Sequence, residues 1–219
     1  MAAPRVPRGD ESPDFDGDPR ANAGSLVLGD DGRLLVASVG LRADVDAAFT
    51  AEGWLRWDGV AAPSGRAIVM GTYRPGSSRG WRVYIDSTGA KPCLKLDVVV
   101  CFPYSRLVDG AVLIEDVSDW ADAWRHLALV YDPHAGRRGL WSLWVDGAVA
   151  GSAENIWSPQ GFANTTDLFA LGMIHASDEY NSQWNACTGA YDMWRLSLGA
   201  LTEKQFLYKR PNGTVVYMR

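Results

Sequence analysis

The stretch from Trp124 to Gly147 constrains this chain more than any other. It reads Trp-Arg-His-Leu-Ala-Leu-Val-Tyr-Asp over 124–132, then Leu-Trp-Ser-Leu-Trp-Val over 140–145, and closes on Asp146-Gly147. Two apolar runs around a Gly/Arg-rich turn read as paired strands. Asp-Gly accepts the positive φ angles of a tight type I′ turn, so Ala148-Val149-Ala150 should begin a third strand. The expectation is a consecutive antiparallel meander.

The same short-strand rhythm runs through most of the chain. Leu26-Val27-Leu28 and Leu34-Leu35-Val36 flank a Gly29-Asp30-Asp31-Gly32 turn, and 49–57, 67–73, 81–86, 94–100, 167–172 and 189–197 are further strand-like runs. Ten tryptophans and twenty-three glycines suit strands joined by tight turns. Between Cys93 and Cys101 the alternation sets Leu94, Leu96, Val98, Val100 and Phe102 on one face, with Lys95 and Asp97 on a wet one. The pattern predicts an all-β, two-sheet antiparallel jelly-roll sandwich. Trp54, Leu127, Leu129, Leu143, Val145, Leu171 and Leu196 should be largely buried in it. One short helix is expected from Thr202 to Arg210: Thr202 and Gln205 form a capping box, Leu201 and Phe206 a staple, and Pro211 a stop.

Several of these runs resemble laminin G-like domains of the concanavalin A-like lectin/glucanase superfamily. The 124–132 strand and the Val145-Asp146-Gly147 strand end carry the resemblance first. Phe49-Thr50-Ala51-Glu52-Gly53-Trp54 is similar to the family's Phe-Thr-x-Glu-x-Trp strand. Leu171-Gly172, Gly189-Ala190-Tyr191-Asp192-Met193-Trp194-Arg195-Leu196 and Leu201-Thr202-Glu203-Lys204-Gln205 follow in the family's order. The resemblance spans roughly 25–207 and implies a sandwich. It leaves function open, because such sandwiches serve as lectins, adhesion modules, glycosidases, lyases and structural parts.

Composition narrows the classes. A chain of 219 residues can bury a sizeable core as one domain, here 25–219, after a Pro/Gly/acidic tail over 1–24. A net charge of −5 with no basic stripe argues against nucleic acid. No apolar run of about 18 residues exists, so no membrane span is expected. The first twenty residues lack the apolar segment of a signal peptide. Extracellular or cell-surface location therefore requires a signal already removed. Three cysteines have no metal-type spacing. Cys93 and Cys101 bracket a strand of roughly 26 Å, too long for a disulfide's Cα separation of about 4.4–6.8 Å. Free or buried thiols are the expected state, with one bridge to Cys187 as the alternative.

Catalytic signatures are weak. The glucanase relatives place Glu-x-Asp-x-x-Glu on one strand, and no such run occurs here, while Glu115-Asp116 and Asp178-Glu179 are adjacent and would point to opposite faces. Gly76-Ser77-Ser78-Arg79-Gly80 fits Gly-x-Ser-x-Gly but lies between two strands, not between a strand and a helix. His126 is expected to be packed and hydrogen-bonded, and His134 and His175 lack ligand spacing.

Recognition is better supplied. The excursion over 173–188 carries His175, Asp178, Tyr180, Asn181, Gln183 and Trp184. Flat rings suit the apolar faces of sugars, and amides and carboxylates suit their hydroxyls. Long loops on rigid sandwiches are often binding loops. A second aromatic loop, 156–162, could line the same edge. No cofactor motif is present; calcium is the one candidate. The resemblance implies a cation held by oxygen ligands at a sandwich edge, with Asp30, Asp31 and Asp192 brought together if the first and last strands pair. Asn164 and Asn212 begin formal glycosylation sequons.

The expected function is a non-enzymatic, lectin-like or adhesive recognition module for a glycan or glycoprotein. The alternative is a structural subunit of a larger protein assembly, in contact with other subunits through its tail and a sandwich face. A polysaccharide-degrading glycosidase or lyase ranks third.

Overall fold

The computed structural model describes residues 26–28, 33–36, 47–73, 80–101, 105–156, 168–172 and 184–207. The tail expected over 1–24 lies outside these residues. Two antiparallel sheets face each other. The first contains β1 (Leu26–Leu28), β3 (Phe49–Trp57), β8 (Trp124–Asp132), β9 (Leu140–Val145), β10 (Ala148–Glu154) and β13 (Gly189–Leu198), in the order β1-β13-β3-β8-β9-β10. The second runs β2-β11-β4-β5-β6-β7, built from β2 (Arg33–Val36), β4 (Arg66–Tyr73), β5 (Gly80–Asp86), β6 (Cys93–Cys101), β7 (Ser105–Ile114) and β11 (Leu168–Gly172). A two-residue strand, β12 (Asn185–Ala186), adds to β4 in parallel. This is the sandwich the alternation predicts.

The expected meander is present. β8 pairs with β9 and β9 with β10, and Asp146 and Gly147 turn the chain at φ 49° and 81°. Beyond the turn itself, Asp146 accepts hydrogen bonds from the His126 amide at 2.9 Å and from Arg125 Nη1 at 3.1 Å. β1 and β2 do not pair with each other: β1 joins β13 in the first sheet and β2 joins β11 in the second.

The interior is aromatic. Trp141 stacks on Tyr131 at 4.4 Å, and Phe49 and Trp81 complete the cluster. Leu94, Leu96 and Val98 point inward as the alternation requires. Trp54, Leu127, Leu129, Leu143 and Leu171 are buried, while Val145 and Leu196 are half-buried at the margin. Trp194 lies over Gly53, where an added Cβ would come within 2.5 Å of its ring. Only glycine fits there.

Of the helix expected over 202–210, the described residues form a single 3₁₀ turn, Glu203–Gln205, while 208–210 lie outside them. Its capping contact is real: Gln205 Oε1 accepts from the Thr202 amide at 2.9 Å. Phe206 then leaves the helical region at φ −70°, ψ 150°. The reason is tertiary. Phe206 is fully buried against Trp144 and His126, and the next amide, on Leu207, is held by Glu52. A continuing helix would break both contacts.

That segment seals the outer face of the first sheet. Glu52, on β3, is buried and accepts from Arg195 Nε at 2.8 Å, from Arg195 Nη2, and from the Leu207 amide at 2.7 Å. His126 Nε2 lies 3.2 Å from the same carboxylate, with the ring edge-on to Trp54. His126 is thus packed and paired, as expected. Among the described residues no helix is long and apolar enough to cross a membrane.

Candidate recognition face

The outer face of the second sheet is assembled differently. Period-two alternation along β5 sends Trp81, Val83 and Ile85 into the core and Arg82, Tyr84 and Asp86 outward. Strand pairing then sets Arg82 against Asp97, Tyr84 against Lys95 and Ile68, and Asp86 against Arg66. The result is a polar and aromatic patch on a rigid platform.

Its charges are locked in place. Arg82 donates from Nε and Nη2 to Asp97 Oδ2 at 3.1 and 3.0 Å, and the Gly110 amide donates to Oδ1 at 2.6 Å. Lys95 Nζ donates to Asp86 Oδ2 at 2.8 Å, while Thr88 gives its amide and hydroxyl to Oδ1. Asp97 was expected on a wet face, yet it is only 3% exposed because Arg82 and Gly110 cover it. Burial raises the Asp86 pKa, but the Lys95 and Thr88 hydrogen bonds outweigh it and bring the group from 3.8 to about 2. The bond to Asp86 holds Lys95 above its ordinary value. Burial and then the Asp97 charge push the Tyr84 phenol well up, so it stays a neutral hydroxyl. That hydroxyl has no hydrogen-bond partner among the described residues.

An acid-stability prediction follows from the sign of the Asp86 shift. The unfolded chain binds the proton more tightly than the folded one. The stabilisation is complete above the ordinary value of 3.8 and is lost as pH falls through about 2. Denaturant titrations across that window should show a shallower decline for Asp86→Asn than for the wild type. Parallel curves would place the acid sensitivity elsewhere.

Trp184 comes down on this patch. Its ring meets Tyr84 edge-on at 4.8 Å, the Arg82 guanidinium carbon lies 3.9 Å from its centroid, and Arg66 lies at 5.4 Å. Ile68 and Ala170 pack beside it. The ring remains half-buried, so part of it faces solvent. Cation–π contact of this kind fixes both partners. Of the loop residues picked out by sequence, His175, Asp178, Tyr180, Asn181 and Gln183 lie outside the described residues. Arg66, Arg82 and Tyr84 were missed. Reading the alternation of β5 beside that of β6 would have put Arg82, Tyr84 and Asp86 on one face with Lys95 and Asp97.

The candidate cation site has one described member. β1 pairs with β13, the condition for bringing Asp30, Asp31 and Asp192 together. Asp30 and Asp31 lie outside the described residues. Among the described residues no three His, Cys, Asp or Glu side chains are grouped to hold a metal. Cys93 and Cys187 are free thiols; burial raises the first and pushes the second up to about 12, so neither is poised as a nucleophile. The Cys101 side chain and residues 76–79 of the Gly-x-Ser-x-Gly run lie outside the described residues.

Solved structures of similar fold bind or assemble in varied ways. The CBM40 of the Ruminococcus gnavus IT-sialidase, bound to alpha2,3 sialyllactose, has a TM-score of 0.52 at 9% identity, covering 84% of this chain and 94% of that one. Domains LG4-5 of the mouse laminin alpha1 chain give 0.53 at 17%, covering 84% and 43%. A heptameric SAP-like pentraxin from Limulus polyphemus gives 0.50 at 13%, covering 79% and 71%. At these identities the likeness is one of fold. No curated protein sequence matches the chain. A laminin G family model does match, over residues 28–205, and with most of its length accounted for the chain belongs to the concanavalin A-like lectin/glucanases superfamily.

Proposed function

We propose that the chain is a non-enzymatic recognition module that binds a glycan or glycosylated partner on the outer face of the second sheet. The observation that carries this reading is Trp184 seated over Tyr84 and Arg82, an aromatic pair among immobilised hydrogen-bonding groups. A half-exposed ring can cover the apolar face of a pyranose, and fixed polar groups can read its hydroxyls at low entropic cost. The loop preceding Trp184 would add His175, Asp178, Tyr180, Asn181 and Gln183 as further partners. The first sheet offers less, because the Leu201–Leu207 segment covers its outer face.

Binding rather than catalysis is supported by the state of the carboxylates. Glycoside cleavage needs an acid and a base or nucleophile with oxygens free to reach substrate. Both oxygens of Asp86 and both of Asp97 are already hydrogen-bonded within the patch. A glycan ligand would place the working domain at a cell surface or outside the cell. A calcium ion shared by Asp30, Asp31 and Asp192 is tested by melting the protein in chelator and in excess calcium. A higher Tm with calcium assigns the ion, and coincident curves remove it.

Trp184→Ala should weaken glycan binding by about five- to a hundredfold, taking as the scale the roughly 1–3 kcal/mol that an aromatic side chain contributes by stacking on a nucleic-acid base. Its Tm should drop by only a few degrees, because Trp184 packs outside the main core. A glycan array paired with thermal melts reads both. Unchanged binding, or collapse of the fold, would remove Trp184 from the ligand surface.

A further inference from the structure

We propose that the recognised glycan is acidic, and that Arg66 binds its carboxylate or sulfate; this rests on the glycan-binding reading above. The argument concerns which charges on the patch are already spent. Arg82 is committed to Asp97 through two donors, and Lys95 to Asp86. Arg66 stands directly across from Asp86 in the β4–β5 register, the natural place for an ion pair. Asp86 is already saturated: Lys95 takes one oxygen, and Thr88 supplies two donors to the other. Asp97 is equally occupied by Arg82 and Gly110. Arg66 has no salt bridge among the described residues, and its guanidinium is placed by the Trp184 ring at 5.4 Å.

A half-buried guanidinium beside an indole, with no carboxylate partner among the described residues, keeps its planar paired N–H donors available. That fork matches an oxyanion with two coplanar oxygens. Tyr84, only 4% exposed, backs the Trp184 ring edge-on and, as a neutral phenol, adds no negative charge to the patch. The neighbouring acids are neutralised by their partners, so they repel an anion less than free carboxylates would. A uronic-acid-bearing or sulfated oligosaccharide fits this chemistry, and a neutral one leaves the Arg66 fork solvated and unused.

The test is a calorimetric titration of the whole protein with three oligosaccharides: neutral, uronic-acid-bearing and sulfated. Wild type should bind an acidic member at least tenfold more tightly than the neutral one, with affinity falling as salt rises. Arg66→Ala should lose that preference, retain binding to the neutral sugar, and melt within a few degrees of wild type. Whichever acidic member is preferred identifies the anion. Equal affinity for neutral and acidic sugars overturns the proposal while leaving glycan recognition standing. So does an Arg66→Ala protein that loses neutral and acidic binding together, which would make Arg66 only a support for Trp184. Absence of binding to every glycan sinks both the proposal and the reading beneath it.

Discussion

Glu52→Ala should lower the unfolding free energy by about 3 kcal/mol, the lower end of the 3–5 kcal/mol typical when one partner of a buried charge pair is removed. Glu52 is fully buried, and its two oxygens serve Arg195, the Leu207 amide and the neighbouring His126. Deleting the carboxylate removes the acceptor of the buried Leu207 amide and one acceptor of Arg195, and takes the charge from beside His126. Arg195 softens the loss, since its side chain is 20% exposed and also donates to the Gln205 carbonyl at 2.6 Å. The defect should be local at first. Hydrogen exchange at Leu207 should accelerate before the β3–β8 ladder opens, because that segment is tied to the sheet through Glu52. Chemical denaturation and amide exchange check both parts. A change under about 0.5 kcal/mol, the usual range for a surface substitution, would mean the buried cluster is not what holds the segment.

Trp141→Ala should be at least as costly, about 3–5 kcal/mol for deleting a buried indole. Trp141 is fully buried between Tyr131 and Phe49, and Trp81 lies 6.2 Å away. Its Nε1 donates to Asn155 Oδ1 at 2.9 Å, in a site where Asn155 also donates to the Arg138 carbonyl. The substitution therefore opens a cavity and strips a buried acceptor at once. Because small domains are stable by only about 5–15 kcal/mol, this can consume a large part of the margin. Trp141→Phe, which refills most of the space but not the hydrogen bond, should recover part of the loss. Equal losses for both variants would show that the hydrogen bond, not the packing, carries the effect.

The sandwich was legible because its signals are local. Alternation assigns the faces of β6, and Asp146-Gly147 specifies its own turn. The Phe-Thr-x-Glu-x-Trp strand was legible as a motif but not in its meaning. Glu52 and Trp54 sit two apart on one outer face, yet only the arrival of Arg195 and Leu207 from far along the chain makes that carboxylate a latch. The same limit shortened the helix. Thr202 and Gln205 mark its start through neighbouring residues, whereas its end is set by a pocket for Phe206 formed by Trp144 and His126. Local capping cannot report a distant pocket.

The candidate recognition face was half legible for the same reason. Lys95 and Asp97 announced an outward face on β6. Which cations met them depended on the register of β5, and which ring covered them depended on where the 173–188 loop returned. Trp184 stood out by composition alone. Its partners Arg66 and Arg82 did not, being single arginines in otherwise apolar strands. Register converts such isolated residues into a patch.

If no glycan binds and the isolated chain self-associates, the structural-subunit reading takes over, with the same sheet face as a contact surface. The most direct measurement maps backbone amide shifts of the labelled protein during titration with an acidic oligosaccharide. Saturable shifts should cluster on Arg66, Arg82, Tyr84, Gly110 and Trp184, while Glu52, His126 and Leu207 on the opposite face stay still. Shifts confined to the first sheet, or none at saturating sugar, would contradict recognition on the second.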